Sequence, residues 1–164
     1  MKFKITRKSL MYDIANQAYI IASVYEDMEK DVAYARITDI CEPGNRDRVA
    51  RVLGLAYSRL ADLLFPAMEI RVPGLEHDCS KNIHDYEFIF SREGPGSKLT
   101  MQKKLKIKET VREFMVCMVL ADWMGSVMPV GADIWKERAE ECISALTTAV
   151  FSINGGFRRR VEPM

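Results

Sequence analysis

Apolar residues recur along this chain with two different periods. From Met11 they fall at Ile14, Ala15, Ala18, Ile21 and Ala22, which predicts the buried face of a helix capped by Thr6 or Ser9 and running to about Tyr25. After Asn45, a good capping residue, Val49, Val52, Leu53, Ala56, Leu60 and Leu64 repeat that spacing until Pro66 stops it. Arg46, Arg48, Arg51 and Arg59 fall mostly away from this second stripe. A third helix is expected to begin near residues 106–109. Its middle, "FMVCMVLA" at 114–121, has no polar side, so it is expected at the centre of the fold. Trp123 and Met124 close it before Gly125 and Pro129. Asp133 lies near the start of a fourth helix, where negative charge suits the helix dipole. Trp135, Ala139, Cys142, Ile143, Leu146, Val150 and Ile153 form its buried stripe, and Gly155-Gly156 ends it.

The second period is two. "KFKIT" alternates Phe3 and Ile5 with lysines and predicts a short edge strand. "YEFIFSREGPGSKLTMQKKLKIKE", residues 86–109, predicts a hairpin at about 83–105 around a mobile Gly-Pro-Gly tip. Tyr86, Phe88 and Phe90 share one face, and Leu99, Met101, Leu105 and Ile107 keep a similar parity on the return. Lys98, Thr100, Gln102, Lys104, Lys106 and Lys108 take the other face, which stays wet. "EDMEKDVAYARITDICEPGN" reads as a connection with one helical turn inside. "AMEIRVPGLEHDCSKN" reads as a polar, turn-rich passage with one short apolar alternation. The expected fold is mainly α: a four-helix bundle-like domain with a β-hairpin inserted between helices 2 and 3. It spans 1–154 as one domain, followed by a flexible basic tail at 155–164.

Composition narrows the class. The chain has 164 residues, 48% hydrophobic and 29% charged, enough for one folded domain with its own core. Its formal net charge of +1 means that any affinity for nucleic acid must come from a local patch. Cys41, Cys79, Cys117 and Cys142 form no CxxC unit. Cys117 and Cys142 fall in apolar helical patterns, where a free thiol behaves as a small hydrophobe, and this suggests a reducing compartment. The basic start is followed by no continuous apolar segment, and no run approaches the length of a membrane span. A cytoplasmic location without membrane association is the expectation.

Candidate chemistry is sparse. His77 and His84 are the only histidines, with Cys79 between them, so a Cys-His pair is conceivable. A solvated loop that contains these residues is the better account. The same three side chains, with Asp78 or Asp85, are weak candidates for a metal site. Zinc accepts such donors, but their spacing matches no common zinc pattern. No phosphate cradle is present, and no cofactor is expected. Glu140-Glu141 reads as a solvated face. Asp122 follows an apolar run and is expected to be a buried carboxylate with an arginine partner.

The lysine face is the sharpest feature. A two-stranded ribbon can enter a major groove, with Lys98, Lys104, Lys106 and Lys108 pairing phosphates and Tyr86 and Phe88 stacking on bases. Lysines on an exposed strand are also the ordinary device against edge-to-edge pairing, and the aromatics have the wrong parity to share their face. Arg158, Arg159 and Arg160 in the tail suit phosphate or an acidic groove on a neighbouring subunit. With Phe157 and Val161 beside them, they have the composition of a segment that orders on binding.

"MKFKITRKSLMYDIANQAYIIASV", "DICEPGNRDRVARVLGLAYSRL" and "KIKETVREFMVCMVLADWM", with the basic tail, resemble small proteins of bacterial prophage structural gene clusters. Helices with an inserted hairpin are also similar in architecture to phage head-tail connector (adaptor) proteins, which form rings. That resemblance implies a non-enzymatic assembly protein, cytoplasmic or virion-associated, whose partners are other phage structural proteins or further copies of itself in a ring. It carries no specific functional residues. Nucleic-acid binding through the lysine ribbon and arginine tail is the alternative.

Overall fold

The computed structural model describes residues 2–29, 32–65, 68–71, 85–90 and 101–151. In chain order the elements are β1 (Lys2–Thr6), α1 (Arg7–Glu29), α2 (Val32–Thr38), α3 (Arg46–Leu64), β2 (Met68–Arg71), β3 (Asp85–Phe90), α4 (Met101–Val127) and α5 (Pro129–Phe151). Short 3-10 turns at Asp39–Cys41 and Pro43–Asn45 join α2 to α3. The four long helices match the expected four. The connection after α1 is more helical than expected, because α1 runs on to Glu29 and α2 is a separate short helix.

Local chemistry accounts for several boundaries. The Ser9 backbone N–H donates to Thr6 Oγ1 at 3.2 Å, and Ser9 Oγ donates back to the Thr6 carbonyl at 3.0 Å, so Thr6 caps α1. Asn45 precedes α3, but its side chain donates to the Asp39 carbonyl at 2.9 Å and holds the preceding turn instead of capping the helix. Phe65 is extended at φ −69°, ψ 136°, as a residue before proline must be, and α3 ends there.

A β-hairpin does lie between the second and third long helices, though with a different second strand. β3 is the expected first strand. Its partner is β2, from the passage read as polar and turn-rich, with Ile70 opposite Phe88. β1 pairs with the other edge of β3, Phe3 opposite Phe88 and Ile5 opposite Tyr86, and the sheet order is β1-β3-β2, all antiparallel. The expected return strand through Lys104, Lys106 and Lys108 is instead the first two turns of α4. Ile107 is buried and begins a stripe with Val111, Phe114 and Met115, at helical spacing, while Leu105 is exposed. The alternation of Leu105 and Ile107 was therefore coincidental. Lys, Gln, Leu, Met and Glu dominate this segment, and all favour helix over strand.

The core forms where α4 is surrounded. It touches α1, α2, α3 and α5, and Phe114, Met115, Cys117 and Leu120 are fully buried. The sheet closes one side through aromatic packing. Phe3 stacks on Phe88 at 5.0 Å, and Tyr57 of α3 lies 5.1 Å from both Tyr86 and Phe88. On the outer face, Lys2 pairs with Glu87 at 2.8 Å, and Lys4 lies 3.8 Å from Asp85.

The Tyr57 hydroxyl donates to the Glu87 carbonyl at 2.6 Å, tying α3 to the central strand. Burial pushes this phenol from 10.0 up to about 12. We expect Tyr57→Phe to cost about 1 kcal/mol in urea denaturation at neutral pH. The raised value favours the folded state fully below the unfolded pKa of 10.0 and loses that contribution as pH climbs through about 12. The gap between the two proteins should therefore narrow above pH 10.

Candidate interaction surface

The inner side of α1 is built from Leu10, Ile14, Ala18 and Ala22, one residue every four, all buried. The opposite side is also largely apolar. Tyr12 is 71% exposed, Tyr19 58%, Ile20 47% and Val24 66%. With Asn16 and Ser23 between them, these positions form one continuous stripe at helical spacing. A helix apolar on both sides is normally covered on both sides, and exposed apolar stripes of this kind mark contact surfaces. The periodic stripe in the sequence marks only the inner face of α1, and Tyr12, Tyr19, Ile20 and Val24 are the apolar positions it leaves over.

The start of α4 is the second surface. Lys104 and Lys108, one turn apart, share a side of the helix, while Lys106 lies around the other side, in a groove with Glu141, Ser144 and Thr148 of α5. The expected single wet face of lysines thus becomes a ring around two helical turns. No acidic residue offsets it in the first turn of α4, so the lysine charge adds to the positive helix end. Met101 and Leu105 are exposed among these lysines. Tyr86 and Phe88, expected as base-stacking candidates, are buried in the core against Tyr57 and Phe3.

Arginines on α3 and α4 tie the helices together. Arg48 Nε donates to Asp122 Oδ2 at 2.8 Å, and its Nη2 donates to the Asp122 carbonyl at 3.0 Å and to Ser126 Oγ at 2.6 Å. Its guanidinium also lies 5.2 Å over the Trp123 ring. Asp122 thus has the expected arginine partner, but both side chains remain partly exposed. Arg59 bonds Glu140 at 2.7 Å and covers Phe114 at 6.0 Å, and Arg112 pairs with Asp13 of α1. Glu140 is therefore on the wet side, as expected, and is paired across helices.

Among the described residues, no group of three or more His, Cys, Asp or Glu side chains could hold a metal ion. His77, Cys79 and His84 lie outside the described residues, as do Lys98, Ile153, Arg158, Arg159 and Arg160. Among the described residues, no helix is long and apolar enough to cross a membrane. No family model, no curated protein and no solved structure matches the chain.

Proposed function

We propose that this chain is a structural or assembly protein without enzymatic activity, working through protein–protein contact. Its concrete form is a subunit of a phage-derived element with a head-tail connector-like role. The observation that carries the reading is the outer stripe of α1, where Tyr12, Tyr19, Ile20 and Val24 remain exposed on a helix already packed along its inner side. Head-to-tail rings need two different contact surfaces on each subunit. The stripe and the exposed Met101 and Leu105 at the start of α4 are candidates for them.

The test is solution mass by light scattering after size exclusion, over a wide concentration range and at two salt levels. A discrete closed oligomer is expected. Tyr12→Lys with Val24→Glu should dissolve it while leaving the melting temperature nearly unchanged, since neither side chain is in the core. A chain that neither self-associates nor enters particles, with or without these changes, overturns the reading.

Nucleic-acid binding is the second reading, supported by the lysines around the first turns of α4. Changing Lys104, Lys106 and Lys108 to glutamate should then abolish salt-sensitive retention on DNA. If the unmodified protein is not retained at low salt, this alternative fails.

A further inference from the structure

The start of α4 and the end of α1 point to opposite ends of the subunit. Arg112 of α4 pairs with Asp13 of α1. Three turns further along α4, the Trp123 Nε1–H donates to the Ile37 carbonyl of α2. Because α2 packs back along α1, the two long helices advance in the same direction. From the contact between Arg112 and Asp13, α4 reaches back about 16 Å to Met101 and α1 runs on about 24 Å to Glu29.

Charge follows the same division. Lys103, Lys104, Lys106 and Lys108 lie in the first two turns of α4, whose first turn holds no acidic residue. The last turn of α1, which follows Val24, carries Glu26, Asp27 and Glu29 and no basic residue. The helix dipoles add to both, positive at the start of α4 and negative at the end of α1.

We infer, resting on the assembly function proposed above, that these two ends mate between copies: the start of α4 in one subunit docks on the outer stripe of α1 in the next. Met101 and Leu105 are exposed one helical turn apart, and so are Ile20 and Val24. Equal spacing lets one apolar pair seat against the other where the two helices cross. Lys104 and Lys108 share the side of α4 that bears Met101 and Leu105, so this docking brings them to the acidic turn beyond Val24. Apolar surface meets apolar surface and positive charge meets negative at one contact. Each subunit uses a different surface toward each neighbour, so the contact is heterologous and repeats from copy to copy. A two-fold pairing of stripe on stripe would leave Met101 and Leu105 in water and bring no lysine of α4 to the acidic turn.

The test mixes two full-length variants, each altered on one surface. Tyr12→Lys with Val24→Glu removes the stripe, and Met101→Glu with Leu105→Glu removes the start of α4. All four side chains are exposed, so both variants should melt near the unmodified chain. Each alone should sediment as a monomer where the unmodified chain assembles. An equimolar mixture should give a one-to-one dimer and nothing larger, because each variant keeps one working surface of the opposite kind. Charge reversal is the second arm, and the new charges suit both helix dipoles. Lys104→Glu with Lys108→Glu, or Glu26→Lys with Asp27→Lys, should weaken assembly roughly tenfold or more, and all four changes in one chain should restore it. If the unmodified chain assembles but the mixture stays monomeric, or the combined reversal does not rescue, the pairing is overturned and the assembly function stands. Self-association of the Met101 and Leu105 variant alone also overturns it, in favour of stripe on stripe. An unmodified chain that never self-associates removes the ring and the pairing together.

Discussion

Phe114→Ala should lower the unfolding free energy by about 3–5 kcal/mol, read as a fall in the urea midpoint at unchanged slope. Phe114 is fully buried on the helix that touches all four others, and its ring is covered by the Arg59 guanidinium. No neighbouring element is free to fill the space, because α4 is held by α1, α2, α3 and α5 at once. Domains of this size are commonly stable by only about 5–15 kcal/mol, so the variant should sit near the edge of folding at 37 °C. Phe65→Ala is the matched control. The same truncation at a largely exposed ring should change stability by less than about 0.5 kcal/mol. Similar losses at both positions would show that α4 is not the centre of the core.

The second large effect is expected at Trp123. Its ring is buried near the end of α4, under the Arg48 guanidinium, and its Nε1–H donates to the Ile37 carbonyl at 3.2 Å. Trp123→Ala removes the packing and the donor together and should cost about 3–5 kcal/mol. Trp123→Phe keeps most of the packing and leaves the Ile37 carbonyl without its donor, which should cost about 1–2 kcal/mol. Both changes should act first on α2, whose last turn this bond holds. Amide exchange in Val32–Thr38 is therefore expected to accelerate more than exchange in α3. Uniform acceleration across all helices would mean that Trp123 supports the whole core and not the α2 contact.

Much of the helical framework could be read from the residues. The stripe from Val49 to Leu64 and the polar-free run 114–121 succeeded because burial on a helix leaves a periodic mark that tertiary context rarely hides. The extension of α1 and the separate α2 were missed, because the charged run around Glu26–Lys30 breaks that mark. Residues 101–108 failed for a different reason. A few apolar residues on alternate positions satisfy the strand template by chance, and the helix propensity of the lysines, glutamine and methionine was the better guide. β2 was visible only as a short apolar alternation in a turn-rich passage, because four residues are too few to fix a strand. Asn45 was the right residue at the right boundary, yet its side chain was claimed by the preceding turn, a competition that sequence alone does not reveal.

The candidate interaction surface was less legible. Tyr12, Tyr19, Ile20 and Val24 are ordinary apolar residues in the sequence, and only the packing of Leu10, Ile14, Ala18 and Ala22 on the other side makes them a surface. Asp122 shows the reverse case. Its arginine partner was predictable from charge, but the partial exposure of both groups depends on where α3 starts relative to the end of α4.

The strand order β1-β3-β2 also bears on synthesis. The strand pairing of Phe3 and Ile5 waits until Phe88 and Tyr86 leave the ribosome, which at roughly 5–20 residues per second is a delay of seconds. Over that interval β1 is a short segment with two large apolar side chains and no sheet to join. Lys2 and Lys4 flank Phe3 within it, and charges so placed discourage pairing with another nascent chain. The lysines that later meet Glu87 and Asp85 across the finished sheet would thus first act as chaperones for their own strand.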